Sequence, residues 1–324
     1  MKLMKKELLL VLVAGLVCCF RVSAQQEPMF THYMFNKLTY NPAYAGSRDA
    51  ICATLVYHNQ WTGFKGPDDE SAPITQNFAI HAPISIGKLS DLGVGFHITN
   101  DKSGFIGTTG FWGSFAYKKK LSFAELGLGL NAGLVQQTLG AKWRAADLSD
   151  KRLPNQSSSS VIDAGLGAYL NALNWYAGIS AMHLSAANAK WTDKSNGYSV
   201  DYKIAPNYFI TAGYKQDVAG GLVQLQPSVM IKTDLTKPVV DATLLALYKE
   251  KVWAGLNYRS ERITALSAMF GVYVFDNLSL GYSYDIATSG AGAFKGTHEL
   301  MANYCFKLNI ATEPPVWHKT PRFL

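Results

Sequence analysis

The chain has 324 residues, of which 48% are hydrophobic and 16% are charged, and its formal net charge is +7 at pH 7. Soluble domains usually carry about 25% charged residues, so the chain is poor in charge without being frankly apolar. Residues 1–24 hold four cations and one acid, and without them the net charge falls by 3 to +4. This mild excess does not indicate a nucleic-acid partner. Four cysteines exclude a disulfide-rich scaffold.

Residues 1–24 have the three regions of a secretory signal peptide. A lysine-rich start precedes an apolar core at 8–20, and the small residues 22–24 form a cleavage site before Gln25. The apolar core is too short for a span of about 20 residues, which disfavours a membrane anchor. We therefore expect export and cleavage, and Cys18 and Cys19 leave with the signal.

The next segment, residues 25–50, is a leader of mixed character. Asn41-Pro42 and the run Ala45-Gly46-Ser47 interrupt any regular element. Beyond it the chain shows period-two alternation, in which bulky apolar residues take one face and Gly, Ser, Asn or Thr take the other. The clearest example is Leu92, Val94, Phe96 and Ile98, which alternate with Gly93, Gly95, His97 and Thr99.

This alternation predicts membrane strands with an apolar face toward lipid and a polar face toward a lumen. We predict an all-β fold, an outer-membrane antiparallel barrel of about 14 strands spanning residues 51–308, followed by a C-terminal tail at 309–324. The predicted strands are 51–61, 75–84, 91–100, 107–119, 122–137, 160–171, 174–184, 206–217, 222–235, 239–248, 252–259, 263–275, 278–287 and 297–308.

The predicted connections support closure of the sheet. Those after even-numbered strands are short, whereas the long ones, at 62–74, 138–159 and 185–205, follow odd-numbered strands, as in outer-membrane barrels. Pairing of the first strand with the last removes open edges, whose unpaired backbone groups cost several kcal/mol each in hydrocarbon. With an even count we expect the N- and C-termini on the short-turn, periplasmic side. The expected interfacial aromatic residues are Trp112, Trp175, Tyr176, Tyr208, Tyr248, Trp253, Tyr258 and Phe275.

Two cysteines remain in the mature chain. Cys52 begins the first predicted strand and Cys305 ends the last, so both face inward near one rim of neighbouring strands. A disulfide across this seam is possible, but the geometric window is narrow and the register is unknown from sequence. Two buried free thiols are the interpretation that we favour at this point.

No catalytic or metal-binding pattern stands out in the sequence. It holds no Gly-x-Ser-x-Gly elbow, no HExxH motif and no paired His/Cys cluster. We therefore expect no enzyme activity, no metal and no cofactor. Ionisable residues within the predicted strands are expected to face the lumen, because a lipid-facing charge is costly; they are Glu125, Asp163, Lys232, Asp234, Asp241 and Glu299, with His58, His81, His97 and His183 as polar lumen or rim groups.

Three fragments at the start of the mature chain carry a family resemblance. They are Tyr33-Met34-Phe35-Asn36, then 41–47 (NPAYAGS), then 59–64 (NQWTGF). In this order and position they resemble the opening segment of the PorP/SprF family of type IX secretion membrane proteins. The resemblance implies an outer-membrane barrel of the Bacteroidota that works with periplasmic secretion components, or that delivers and holds secreted surface proteins such as gliding adhesins.

The residues that match these fragments are candidates for partner binding: Tyr33, Asn36, Asn41, Pro42, Tyr44, Gly46, Asn59, Gln60, Trp61 and Gly63. An equal alternative is that the leader plugs the lumen. The rival function is a porin for small solutes, since a barrel of about 14 strands is wide enough to conduct if it is open. The expected partners are outer-membrane lipid, periplasmic secretion components and a secreted cargo protein, with no nucleic acid.

Overall fold

The computed structural model describes residues 27–48, 50–64, 72–86, 89–140, 157–192, 197–260, 265–288 and 295–306. The predicted signal peptide and the predicted tail at 309–324 lie outside these residues. The described elements begin with the short helix α1 (Lys37–Tyr40) and a 3-10 turn at Pro42–Tyr44. The strands are β1 (Ile51–Asn59), β2 (Ile74–Ile86), β3 (Leu89–Ser103), β4 (Ile106–Lys120), β5 (Glu125–Leu139), β6 (Ser157–Asn171), β7 (Trp175–Met182), β8 (Asn188–Thr192), β9 (Ser199–Lys203), β10 (Asn207–Tyr214), β11 (Gln216–Val218), β12 (Val223–Thr233), β13 (Pro238–Tyr248), β14 (Val252–Ser260), β15 (Ala265–Phe275), β16 (Leu278–Ala287) and β17 (Thr297–Phe306).

Fourteen of these strands form one closed antiparallel ring, which confirms the predicted barrel. Neighbours in sequence pair with each other, β1 pairs with β17, and β10 pairs with β12, so that the ring has no open edge. The short strand β11 extends one edge of β12, and β8 and β9 form a separate two-stranded hairpin. None of the described helices is long and apolar enough to cross a bilayer.

The alternation seen in the sequence maps onto the two faces of the ring. In β5, Leu128, Leu130 and Leu134 are exposed on the outer face, whereas Asn131 between them is buried toward the lumen. Lipid solvates the leucines, and the small and polar residues leave room for contents inside the barrel. The two-residue alternation in the sequence therefore identifies which side chains face the lumen.

The two ends of the barrel differ in their connections. We call the end where β1 begins and β17 ends the turn end, because its connections are mostly short. The opposite end, where β1 ends at Asn59, is the loop end and includes the connections 60–73, 140–156 and 183–206. Three loop-end connections are nevertheless short, since two residues join β3 to β4 and four residues each join β12 to β13 and β14 to β15.

The hairpin of β8 and β9 was missed by the sequence prediction, which left 185–205 as a loop. Its Trp191 is buried and donates through Nε1 to the carbonyl of Gln137 at 3.4 Å. After the hairpin, Ile204 packs against Trp112 and Val135 on the inner wall. The hairpin therefore folds against the lumen side of β4–β6 at the loop end.

Not all of the predicted interfacial aromatics face lipid. Tyr248, Tyr258 and Phe275 are exposed, as expected. Trp112 and Trp253 are buried within the lumen, and Tyr176 stacks on the buried ring of Tyr169. The prediction was wrong for these three because position near a strand end does not decide which face a ring occupies, whereas the alternation parity does.

The seam between the first and last strands holds both mature cysteines. Cys52 lies directly opposite Cys305 in the register of β1 and β17. Their Cα atoms are 4.1 Å apart and the two sulfurs are joined as a disulfide. This disulfide differs from the free thiols that we favoured from the sequence. Whether the two cysteines lie directly opposite each other depends on the strand register, which the sequence does not supply.

Candidate functional site: the leader inside the barrel

The leader does not extend away from the barrel; it is packed inside the lumen. Phe30, Thr31, His32 and Ala43 are fully buried. Helix α1 provides one turn, and the side chain of Asn41 then accepts a hydrogen bond from the Ala43 N–H at 2.9 Å to start the 3-10 turn. Proline at the first position of this turn needs no N–H donor. The leader thereby makes two successive turns between Lys37 and Tyr44.

The leader crosses the lumen from the loop end to the turn end. Glu27 contacts His183, just beyond β7, and its carbonyl accepts from Lys232 near the end of β12. Gly46 lies against Gly93 and Pro83, close to the turn end. The first described residue, Glu27, and the last, Phe306, therefore lie at opposite ends of the barrel, and the two termini of the predicted mature chain lie outside the described residues.

A buried carboxylate on the barrel wall holds the middle of the leader. Glu299 on β17 is wholly buried, and its two oxygens accept from the N–H groups of Thr31 at 2.9 Å and of His32 at 2.7 Å. The Nδ1 atom of His32 donates to the same carboxylate at 2.6 Å, and Nδ1 of His58 on β1 donates to its other oxygen. A buried charge of this kind is stable only when it is fully hydrogen-bonded. The leader supplies three of these four donors.

Thr31 also contacts a second buried carboxylate of the barrel wall. Its hydroxyl donates to the carboxylate of Asp285 on β16 at 2.9 Å. Arg259 on β14 lies 3.9 Å from Asp285 and donates through Nε to Asp241 at 2.9 Å. The prediction that Asp241 and Glu299 face the lumen thus describes a network that joins β13, β14, β16 and β17 to the leader.

A second cluster fixes the start of the described leader at the loop end. The ring of His183 lies between two carboxylates, with Nδ1 2.5 Å from Asp163 and Nε2 2.5 Å from Glu27. Burial alone would lower the pKa of His183, but the two carboxylates outweigh it and raise this pKa to about 10. At neutral pH the imidazolium therefore links the leader to β6.

This cluster includes a serine but does not form a nucleophilic triad. The hydroxyl of Ser185 donates to Asp163 at 2.6 Å, and His183 bonds the same carboxylate. A serine nucleophile needs the imidazole as its own base, whereas here both groups converge on Asp163. Among the described residues no group of three or more potential ligands could hold a metal ion.

Polar contacts also fix the predicted partner-binding residues of the leader. The Tyr33 hydroxyl lies 2.9 Å from Ser228 Oγ, and Asn36 Nδ2 donates to Asn77 Oδ1 at 2.8 Å. Asn41 Nδ2 donates to the carbonyl of Ala168 at 3.0 Å. Pro42 is buried, and the ring of Tyr44 meets His81 edge-on, with 5.0 Å between the ring centroids. The structure thus buries this part of the predicted set against the wall.

Close approach of leader and wall depends on glycines. A Cβ atom at Gly93 would lie 2.1 Å from the carbonyl oxygen of Ala45, and one at Gly129 would lie 2.3 Å from the amide nitrogen of Ala43. Gly46 itself has φ +66°, a left-handed conformation in which glycine is favoured. The small residues on the polar face of the strands, which the sequence pattern displays, therefore make room for the leader backbone.

The remaining candidates, 59–63, lie elsewhere and are not brought together with the leader group. Asn59 ends β1, and the N–H groups of Gln60 and Trp61 donate to the Pro73 carbonyl at 2.9 Å and to Thr297 Oγ1 at 3.1 Å. Gly63 is exposed with φ +82°. This part of the motif shapes the connection between β1 and β2 beside the start of β17, at the loop end.

A group of cations collects at the turn end, where the leader leaves the lumen. The ammonium of Lys37 lies 3.4 Å from the ring centroid of Tyr176 and donates to the Tyr169 hydroxyl at 3.1 Å. Arg48 donates through Nη1 to the Cys305 sulfur at 3.3 Å. Lys215 follows β10, and burial, together with the positive charge of Arg48, lowers its pKa. Sequence reasoning missed this group because its three residues are distant along the chain.

Comparison with known proteins gives a family and a fold. The family model described as type IX secretion system membrane protein PorP/SprF matches residues 22–304. A search of curated proteins found no match.

Among solved structures, the fold resembles the toluene transporter TbuX of Ralstonia pickettii, with a TM-score of 0.55 and 10% identity over 85% of this chain and 94% of that one. It also resembles the toluene transporter TodX of P. putida, with a TM-score of 0.52 and 7% identity over 84% and 94% of the two chains. At these identities the likeness concerns the barrel alone.

Proposed function

Since the chain belongs to the PorP/SprF family of type IX secretion system membrane proteins, we propose that it is a plugged outer-membrane barrel that docks other proteins for secretion. On this proposal the barrel is neither a catalyst nor an open pore. The turn end contacts periplasmic components of the secretion machinery. The loop end contacts a secreted surface protein of the adhesin type.

The observation that carries this proposal is the leader that is packed inside the lumen. Its side chains are buried from Phe30 to Ala45 with few exceptions, and they are anchored to β2, β6, β12, β16 and β17. A solute would have to displace this segment in order to pass. The surfaces left for function are therefore the two ends of the barrel and its outer wall.

The orientation of the two ends follows from the general asymmetry of outer-membrane barrels, in which short turns face the periplasm and long loops face outward. On this basis the turns at 121–124, 172–174 and 249–251 face the periplasmic machinery. The loop end presents the β8–β9 hairpin and the 59–63 motif, of which Gly63 is exposed and the rest is partly exposed. Its location suits contact with cargo that has crossed the membrane.

A small-solute channel is the rival function, and one observation favours it. The two similar structures reported above are named as toluene transporters, and their barrels are alike in fold. Fold alone does not establish function, however. The leader makes polar contacts along the lumen, and these do not form an apolar passage. Conductance separates the two functions.

The decisive experiment is purification of the intact protein from native membranes, followed by identification of bound proteins and by conductance in planar bilayers. Docking predicts co-purified type IX components and a silent barrel. A steady ohmic conductance without partners would instead support the channel.

Photo-crosslinkers at three positions locate the contacts. We expect Glu250 at the turn end to capture a periplasmic component, and Lys190 on the exposed face of β8 to capture a secreted protein. Asn36 inside the lumen serves as the matched internal control and should capture barrel peptides alone. Capture of a foreign protein from Asn36 would show that the leader leaves the lumen.

A further inference from the structure

We infer that the turn-end mouth of the lumen is a binding site for a carboxylate side chain of an acidic peptide segment, held by Lys37, Arg48 and Lys215. This inference rests on the proposed function, because it assigns a chemistry to the periplasmic partner that docks at this end. Three cations from different parts of the chain meet at one opening. We call this group the cationic mouth.

The geometry places Lys37 and Arg48 beside a shared tyrosine, and the strand register brings Lys215 to the same opening. Lys37 lies over the ring of Tyr176 and 5.5 Å from the ring centroid of Tyr44, and Tyr44 raises the pKa of the Arg48 guanidinium. Tyr176 pairs with Gly213 on β10, and Lys215 lies two residues further along with the same inward parity. The site is thus framed by α1, the exit of the leader and the turn after β10.

The cations are enclosed by protein yet reach water. Arg48 and Lys215 have exposed side chains, and Lys37 is partly exposed. Tyrosine faces stabilise such cations while leaving their N–H donors available. Arg48 and Lys215 can therefore donate hydrogen bonds to the carboxylates of an incoming acidic segment.

The charge of the cationic mouth is not balanced within the described chain. Two acidic residues near this end are engaged elsewhere, since Glu125 lies 3.3 Å from Lys118 and Asp217 accepts from Gln224. Glu250 and Asp276 are exposed in the turns after β13 and β15. Across the residues that the structure covers, neither Lys37, Arg48 nor Lys215 has a carboxylate at ion-pairing distance. Mutual repulsion of the three cations then favours an external anion.

Two other occupants fit less well. The segment 307–324 carries Lys307, Lys319 and Arg322 against one acid, Glu313, so its net charge opposes binding. A lipid headgroup lies outside the barrel wall, whereas these three cations face the lumen. A soluble protein segment with acidic side chains matches both the charge and the location.

The test uses the intact protein in detergent and a fluorescein-labelled hexaglutamate peptide, with binding followed by fluorescence anisotropy. We expect binding that weakens as salt is raised. The double variant Arg48→Gln with Lys215→Gln should weaken binding about tenfold, as expected for the loss of two partly exposed charge contacts. Both side chains are exposed, so the variant should fold, and heat-modifiability on a gel verifies the barrel.

The matched control is Lys249→Gln with Lys251→Gln, which removes two exposed lysines from the β13–β14 turn at the same end. Binding within about twofold of wild type is expected for it, since removal of scattered surface charge has small effects. Equal losses in both double variants would overturn the site in favour of general charge attraction. Equal binding of hexaglutamine, or displacement of the peptide by millimolar inorganic phosphate alone, would overturn the carboxylate-peptide assignment.

Failure of this site is distinguishable from failure of the proposed function. If wild type and the Arg48/Lys215 variant co-purify the same periplasmic components equally, docking stands and the cationic mouth is not its basis. If hexaglutamate binds as expected but no secretion component co-purifies with wild type, the site stands and the docking function fails.

Discussion

Substitution of Glu299 by Gln tests whether the leader is held by its polar contacts. The change preserves the side-chain volume and replaces one carboxylate oxygen with an NH₂ group. Each carboxylate oxygen accepts hydrogen bonds from two N–H donors. One oxygen accepts from the backbone N–H and the Nδ1 of His32, and the other accepts from the backbone N–H of Thr31 and the Nδ1 of His58. The amide nitrogen cannot accept either of its two donors and opposes them with its own hydrogens.

The magnitude follows from these contacts. A hydrogen bond to a charged group contributes about 1.5–3 kcal/mol, so the loss of two costs about 3–6 kcal/mol. Removal of one partner from a buried charged network costs about 3–5 kcal/mol by mutational experience. The two ranges agree, and about 3–5 kcal/mol corresponds to a hundredfold to a few thousandfold larger population of released leader.

Hydrogen exchange of the backbone amides between residues 30 and 46 measures this population. In the wild type, Thr31 and His32 donate to Glu299, and Gly46 donates to His81 Nδ1 at 3.1 Å. We expect these amides to exchange at least a hundredfold faster in the Glu299→Gln variant, while amides within β5 and β6 keep their protection. Local release, rather than global unfolding, predicts this contrast.

The control is Glu250→Gln, at an exposed position in the β13–β14 turn, which should leave leader exchange unchanged. If Glu299→Gln retains wild-type protection from 30 to 46, the leader is held by its apolar contacts and the polar anchoring described above is incorrect. If protection is lost throughout the barrel as well, Glu299 stabilises the whole ring and not the leader in particular.

Three further predictions address other parts of the structure. Gly93→Ala would place a methyl group 2.1 Å from the Ala45 carbonyl oxygen, so we expect thermal unfolding to show about 1–3 kcal/mol of destabilisation from overpacking. The matched control is Gly113→Ala, whose added methyl group would have its nearest neighbour 3.9 Å away. Equal melting temperatures of the two variants would contradict close packing of the leader. The pKa of His183 is raised to about 10, above the usual unfolded value of about 6.5, so its link to Glu27 is fully present below pH 6.5 and lost as pH rises through about 10. Exchange of amides 29–31, corrected for intrinsic rate, should therefore rise near pH 10 in wild type, and a step of the same size in His183→Gln would refute this origin. Mass spectrometry of the unreduced protein should find the 52 and 305 peptides cross-linked, and alkylation of both cysteines without reductant would show that the bond does not form.

The barrel could be predicted closely from sequence because its rule is local. A period of two over 8–15 residues determines which side chains face lipid, and turn residues determine where strands stop. Strand β16 has the same bounds in prediction and structure, 278–287. Strands β8 and β9 were missed because each is five residues long and lies in a segment where Ser, Asn and Lys dilute the alternation.

The site was less predictable, because its contacts join residues that are far apart in sequence. Thr31 and Glu299 are separated by 268 positions, and their contact depends on the course of the leader through a closed ring. Alternation did predict that Asp163, Asp241 and Glu299 face inward, and this is where they lie. Asp234, also predicted within a strand, follows the end of β12 and caps a turn by accepting from the Thr236 N–H at 2.9 Å.

The direction of the leader was beyond sequence reasoning for a related reason. Polar residues such as Asn36, Asn41 and Thr39 suit either a hydrated lumen or an exposed surface, because their hydrogen bonds can be made to water or to the wall. Only the glycines on the polar face of β3 and β5 signalled that backbone would approach closely. Their number was consistent with a plug but did not specify which segment supplies it.

The position of the cationic mouth has a consequence for how docking relates to opening. A partner that binds Arg48 and Lys215 with the leader in place needs no change in the lumen. A partner that requires the leader to leave must also break all of the leader's anchors, of which two hydrogen bonds to Glu299 alone account for about 3–5 kcal/mol. To offset these two bonds alone, such a partner would have to bind the released state a hundredfold to a few thousandfold more tightly than the plugged state. Docking onto a closed barrel is therefore the energetically easier outcome, and the contacts of the leader favour an attachment point over a gate.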